Sequence, residues 1–264
     1  MKIFDPHLRS RSQGEDDLRN LHYFGTEAVV IVAYGHRSFE DAGELNKEFA
    51  YLINEEWSRL QRCGFTTKVA LGINPQSRPR RSFPETFTKL VELASHERVC
   101  ALGEIGVWED REEQWELFER QIEVALECPE LPLLLVPPKK LKRTFTYKML
   151  DRLEKSGVSL DRVAVSGVDQ ALVMNVIESK AHAIIPVGAG QNDPRDCADW
   201  VGETLGKFGG ENQILFTAGL KAQGGDVLAI PKAVDAMEKA GFEKEIIQRL
   251  VCENGRKLFR FSLG

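Results

Sequence analysis

Glu104 is the one charged side chain in the run Ala101-Leu-Gly-Glu-Ile-Gly-Val107. A carboxylate placed among apolar neighbours is costly unless something compensates its charge. It can hold a divalent cation, or it can exchange protons with an imidazole such as His7. Arg9 follows His7 in Phe4-Asp-Pro-His-Leu-Arg9. A guanidinium ligates no metal, but it can neutralise a carboxylate through two parallel hydrogen bonds, so an Arg9–Glu104 ion pair is expected, with a solvent-facing Arg9 as the alternative. Further basic residues gather in short stretches: Arg11 beside Arg9, then Arg78, Arg80 and Arg81, then Lys139, Lys140, Lys142 and Arg143, and finally Lys221. If these stretches converge on one face they make an anion-binding mouth. Cys63, Cys100, Cys128, Cys197 and Cys252 are odd in number, widely spaced and without a Cys-x-x-Cys pair, so no disulfide framework or zinc ribbon is indicated.

The elements that must position these groups follow from hydrophobic patterning. Short apolar segments at 2–5, 28–33, 68–72, 99–104, 131–136, 162–166, 183–187 and 213–217 read as strands covered on both faces. Amphipathic stretches lie between them. Segment 83–94 follows Ser82 as a cap, and 111–126 sets Trp115, Phe118, Ile122 and Leu126 on one stripe; 229–240 and 244–251 close the chain. Gly157, Gly209, Gly210 and Gly241 mark helix ends. Strand–helix alternation over 264 residues predicts a single domain, 1–264, folded as one (β/α)8 TIM barrel. The open doubly wound sheet is the lesser alternative, because no Gly-x-Gly-x-x-Gly turn follows the first strand. In such barrels chemistry sits at the C-terminal ends of the strands. His7, Arg9, Asn74 and Glu104 belong to that end; His36, Asp169 and Asp193 lie on loops of the same side, while His22, His96 and His182 sit on helices or at strand beginnings. Asp5 reads as a structural carboxylate bonding the backbone. Phe49 and Trp57 in segment 38–62, and Trp200 further on, are read as packing residues, with an assembly surface as the other choice.

A formal net charge of −5 and a pI of about 5.7 argue against general polyanion binding. No apolar run approaches the roughly 18 to 20 residues of a membrane span, and the N-terminus lacks a signal-peptide pattern. A reduced cytoplasmic setting and no membrane partner are expected.

In order along the chain, several motifs resemble the TatD-like branch of the amidohydrolase superfamily, in particular its archaeal-type members. Phe4-Asp-Pro-His-Leu-Arg9 is similar to the family's Asp-x-His-x-His, and Leu71-Gly-Ile-Asn-Pro75 to Gly-Ile-His-Pro. Gly103-Glu-Ile-Gly106 matches directly, Leu131–Val136 resembles the strand ending in Pro-Val-x-x-His, and Val251-Cys-Glu-Asn254 with Leu258-Phe259 resembles Glu-Asn-x-x-x-Leu-Phe. The resemblance implies a metal-dependent hydrolase barrel acting on phosphodiester or related bonds. Carried over residue by residue, it leaves His7 and Glu104 as family ligand positions. Arg9 and Asn74 stand where the family has histidines; the strand-5 histidine falls on Val136, the strand-6 histidine near Gly167, and the strand-8 aspartate on Ala218 or Gly219. An imidazole and one carboxylate do not make a tight divalent site.

The leading expectation is therefore a TatD-like barrel whose metal centre is dismantled. It would be a non-catalytic binding or regulatory homologue with an anion-binding mouth built from Arg9, Arg11, Arg78, Lys139, Lys140 and Arg143. It would carry no cofactor, and its partner would be an anionic small molecule, a nucleic-acid end or a protein. The second expectation is a divergent phosphoesterase or deoxyribonuclease holding Zn, Mn or Mg weakly on His7 and Glu104, with His36 or Asp169 rebuilding the site. The third is metal-free acid–base chemistry by His7 and Glu104.

Overall fold

Eight strands pair in chain order into one parallel sheet: β1 (Ile3–Leu8), β2 (Thr26–Ile31), β3 (Thr66–Leu71), β4 (Val99–Ile105), β5 (Leu133–Leu135), β6 (Val163–Ser166), β7 (His182–Pro186) and β8 (Ile214–Thr217). The computed structural model describes residues 1–33, 37–80, 83–220 and 225–261. Every residue of β1 and β4 is buried, as both-face coverage demands. Each strand overlaps its expected segment; the differences lie at the ends. β1 runs three residues further, to Leu8, which brings His7 into the sheet itself.

Helices cover the sheet between strands: α1 (Glu15–Tyr23), α2 (Ala42–Tyr51), α3 (Trp57–Arg62), α4 (Phe83–Ala94), α5 (Glu112–Glu127), α6 (Lys142–Lys155), α7 (Gln170–Glu178), α8 (Pro194–Phe208), α9 (Ala229–Lys239), α10 (Lys244–Gln248) and α11 (Asn254–Leu258). The expected stripe on α5 buries Trp115, Phe118 and Ile122, while Leu126 is turned outward. Ser82, expected to cap α4, lies outside the described residues. Gly157, Gly209 and Gly241 have positive φ after α6, α8 and α9, as C-terminal caps require.

Two π-helical turns join helices end to end, Leu52–Glu56 between α2 and α3 and Arg249–Glu253 between α10 and α11. Such turns inside helices are frequent at functional sites. The first presents Glu56, fully buried, to Ser10 and Arg59. After the second, Asn254 donates to the carbonyls of Glu211 and Ile214 at the start of β8. Phe259 is buried there and stacks on Phe4. The aromatic residues of segment 38–62 are packing residues: Phe49 is buried, and Trp57 donates to the Thr67 carbonyl with the Arg98 guanidinium 3.8 Å above its ring. Trp200 is buried as well.

The seam between β8 and β1 is bridged by Asp5. Its Oδ1 accepts from the Thr217 hydroxyl (2.7 Å) and the His7 backbone N–H (3.0 Å), and its Oδ2 accepts from the Ala218 N–H (3.0 Å). Burial pushes the Asp5 carboxyl above its ordinary value, against the pull of these donors. The structural role expected for Asp5 is the geometry observed. Asp5→Ala would take their carboxylate acceptor from the His7 and Ala218 N–H groups and leave the Thr217 hydroxyl only the His7 carbonyl, so we predict a loss of about 3 kcal/mol in stability. Urea denaturation would show it as a lowered midpoint with an unchanged slope.

Candidate functional site

The C-terminal ends of β1, β4 and β6 meet around one hydrogen-bonded chain. The Nε2 of His7 lies 2.5 Å from Glu104 Oε1, and its Nδ1 lies 2.7 Å from the Ser166 hydroxyl. Arg9 places Nη2 at 2.5 Å and Nε at 3.1 Å from the same Glu104 oxygen. The other oxygen, Oε2, accepts from Asn74 Nδ2 at 3.1 Å. Glu104 is 2% exposed. The expected Arg9–Glu104 ion pair is formed.

Local structure explains the aim of each group. A Cβ on Gly103 would sit 2.5 Å from Leu134 Cβ, and one on Gly106 would sit 2.4 Å from the Val136 carbonyl oxygen. Only glycine lets β4 lie this close to β5 on both sides of Glu104. Asn74 is held by Gln121, whose side-chain amide exchanges hydrogen bonds with both the N–H and the C=O of Ile73. Arg9 begins a tight turn, Ser10–Ser12, that is clamped from below. The Ser10 hydroxyl donates to Glu56 (2.5 Å), and Arg59 donates to the carbonyls of Ser10 and Gln13 while pairing with Glu56.

Electrostatics fixes the protonation pattern. Burial alone would raise the Glu104 pKa, but the Arg9 charge and the His7 hydrogen bond outweigh it and hold the carboxyl at about 2 against an ordinary 4.5. An ionised carboxylate only accepts, so the imidazole proton sits on Nε2. In the neutral tautomer that carries this proton, Nδ1 is a lone pair and accepts from the Ser166 hydroxyl.

These groups open into a cavity of about 700 Å³. His7, Arg9, Ser166, Lys139, Lys142 and Asn192 are among its lining residues. The mouth is less basic than the sequence implies. Of the six residues expected to bind an anion, Arg9 and Lys139 line the cavity. Arg11 is turned away because buried Glu48 claims it through both carboxylate oxygens, with Tyr51 beneath the guanidinium. Arg143 lies over the Tyr147 ring, and Arg78 and Lys140 are exposed outside the lining. Lys142 lines the cavity instead, donating to the Gly167 carbonyl (2.8 Å) and to Asp169 (2.6 Å).

Asp169 is thus committed to a lysine, and Asp193 caps α8 through the Arg195 N–H. His36, Arg81 and Lys221 lie outside the described residues. His22, His96 and His182 stay away from the site. His22 packs on Phe65, His96 bonds the Arg98 N–H, and His182 bonds the Asp161 carbonyl. Ser166 is the residue that sequence reading missed; its one signal was a hydroxyl at the end of an otherwise apolar strand.

A metal belongs to the family pattern, and the donors can be tested against it. Among the described residues, no three of His, Cys, Asp and Glu come together as a metal-holding group. Glu104 already spends one oxygen on a guanidinium and a ring nitrogen and the other on an amide. Arg9 cannot ligate, and its fixed charge repels a second cation. The described residues do not fit a divalent metal.

The Arg9–Glu104 pair makes a stability prediction. The lower pKa belongs to the folded state, so its contribution is complete above about 4.5 and is lost as pH falls toward 2. Arg9 is 35% exposed, which discounts the pair below a fully buried one. Arg9→Met should cost about 2 kcal/mol near pH 7, with the gap to wild type narrowing as pH falls through that window. Denaturant titrations at about pH 7, 5 and 3 measure the difference.

Comparison with known proteins agrees with this fold. The family model for the TatD related DNase matches residues 6–136. An uncharacterised metal-dependent hydrolase of Methanocaldococcus jannaschii is 21% identical over 98% of this chain and 100% of its own length. The crystal structure of a TatD-like protein from Archaeoglobus fulgidus superposes with a TM-score of 0.80 at 21% identity, covering 97% of this chain and 99% of that one. The phosphotriesterase of Mycobacterium tuberculosis is more distant, at a TM-score of 0.64 and 12% identity over 98% of this chain and 94% of that one. Family match, full-length relative and barrel fold coincide, and together they support a TatD-like family member.

Proposed function

We propose that this TatD-like barrel has given up metal-dependent hydrolysis and binds a small anionic ligand in its mouth, with Arg9 supplying the positive charge that a metal would supply. The observation that carries the reading is the guanidinium of Arg9 seated on Glu104 Oε1. A charge that cannot be deprotonated stands where the resemblance places a neutral ligand. The cavity supports the ligand class. Arg9, Lys139 and Lys142 contribute three cations to its lining and Asp169 one carboxylate. Two protons of the Lys142 ammonium are committed to Gly167 and Asp169, and a third remains in its inventory. Arg9 spends its Nε proton and one Nη2 proton on Glu104, so three of its five N–H donors remain for a ligand oxygen.

The competing reading, a divergent phosphoesterase or deoxyribonuclease with a divalent cation on His7 and Glu104, draws on the metal-dependent relative and on the DNase family name. Elemental mass spectrometry separates the two. Protein purified without an immobilised-metal column should carry metal far below one ion per chain, both as isolated and after incubation with zinc, manganese and magnesium. Near-stoichiometric metal in either sample would overturn the proposal.

A further inference from the structure

We infer that Ser166, His7 and Glu104 form a metal-free nucleophilic site for the hydrolysis of a small carboxylic ester that carries an anionic group. The inference rests on the reading that Arg9 stands in for the metal, and it goes beyond binding. Three strand ends bring a hydroxyl, an imidazole and a buried carboxylate into one chain of contacts, 2.7 Å from Ser166 Oγ to His7 Nδ1 and 2.5 Å from His7 Nε2 to Glu104 Oε1. This is the nucleophile, base and orienting acid of acyl-transfer sites, which are recognised by geometry and roles and not by sequence order. Here the base faces the serine through Nδ1 and the acid through Nε2.

Two further features turn the contact into a site. Ser166 and His7 both line the cavity, so an ester carbonyl can reach the hydroxyl. The Lys142 ammonium bonds the carbonyl of Gly167, the residue after the nucleophile, and lines the same cavity, so a positive charge borders the space that an ester would enter. Arg9 and Lys139, on the same lining, favour a substrate whose acyl or alcohol part bears a carboxylate.

The steps balance without a metal or an oxidant. Ser166 Oγ bonds to the ester carbonyl carbon as its proton moves to His7 Nδ1. The carbon–oxygen bond to the alcohol then breaks, and that proton leaves with the alcohol oxygen. Water attacks the acyl-serine through the same base, and the Ser166 Oγ–carbon bond breaks to release the acid and restore the hydroxyl. Ser166 and His7 are the catalytic residues; Glu104 is a positioning residue that acts through His7.

The test is covalent labelling of chelator-treated protein with an alkyl fluorophosphonate, read by intact mass and peptide mapping. A single adduct on Ser166 is expected, with none in Ser166→Ala whose circular dichroism matches wild type. His7→Gln should slow labelling by about a hundredfold or more. Glu104→Gln should lower the maximal labelling rate and leave the half-saturating probe concentration unchanged. Ser166→Cys guards against a variant that fails to fold: its thiol should be alkylated by iodoacetamide well ahead of the five buried native cysteines. No adduct on Ser166, an adduct that persists at full rate in His7→Gln, or a Ser166→Cys thiol alkylated no faster than the native cysteines would overturn the inference. Low metal content with no Ser166 adduct would sink this inference and leave anion binding standing, whereas high metal content would sink the earlier proposal.

Discussion

A carboxylate almost wholly withdrawn from water must be met by positive charge and by donors, and at Glu104 that requirement organises the top of the barrel. Desolvating the ionised group costs several kcal/mol by itself. Arg9 and His7 crowd one oxygen and Asn74 holds the other, so β1, β3 and β4 are tied together at a single point. Ser166 joins from β6 through the far nitrogen of His7. A divalent ion would bind such strand ends from the centre and could leave them. A guanidinium is part of the chain, is charged at every accessible pH, and carries its hydrogen bonds in a fixed plane. The centre it makes is permanent and directional.

That directionality depends on support from below. Arginine side chains have many rotamers, and a surface arginine seldom holds one. Arg9 is constrained because the turn that follows it is bonded on three sides. Glu56 takes the Ser10 hydroxyl, Arg59 takes the Ser10 and Gln13 carbonyls, and Glu56 and Arg59 pair with each other. Burial alone would raise the Glu56 pKa, yet the bonds from Arg59 and Ser10 outweigh it and keep it below its ordinary value. Glu56 reaches this position because the π-helical turn between α2 and α3 shifts the register of the helix face at that point. An irregularity in a covering helix thus sets the aim of a side chain in the mouth.

The barrel was legible in the sequence because its signal is repeated. Eight apolar segments at barrel spacing each carry the information, and an error at one end of β1 or β5 does not disturb the rest. The Arg9–Glu104 pair was legible because a lone buried charge needs a partner, and the barrel reading sets Arg9 after the first strand on the same face as the end of the fourth. The charge of the mouth was less so. Arg11 and Lys142 look alike as basic loop residues, and what separates them is a tertiary neighbour, Glu48 on α2 for one and the Gly167 carbonyl for the other. Ser166 could not be singled out, because hydroxyls end many strands and its meaning comes from His7, far away in the chain. Single polar residues take their roles from partners that local patterning does not encode.

The residues that carry the family resemblance divide by what they touch. Gly103 and Gly106 allow the close approach of β4 to β5, and Asn254 with Phe259 locks the C-terminal helix under β8 and β1. Each does a structural task that any chemistry at the mouth would need. The departures are Arg9, Asn74, Val136, Ser166–Gly167 and Ala218, all at the C-terminal ends of strands. Gly103 and Gly106 share that end of the barrel but shape backbone, whereas the side chains at the upper strand ends set reactivity. Matches of the first kind establish the fold and are silent about the reaction. Whether this chain shares its relatives' activity is decided at the second set, where a guanidinium and a serine hydroxyl now flank the imidazole and carboxylate that remain.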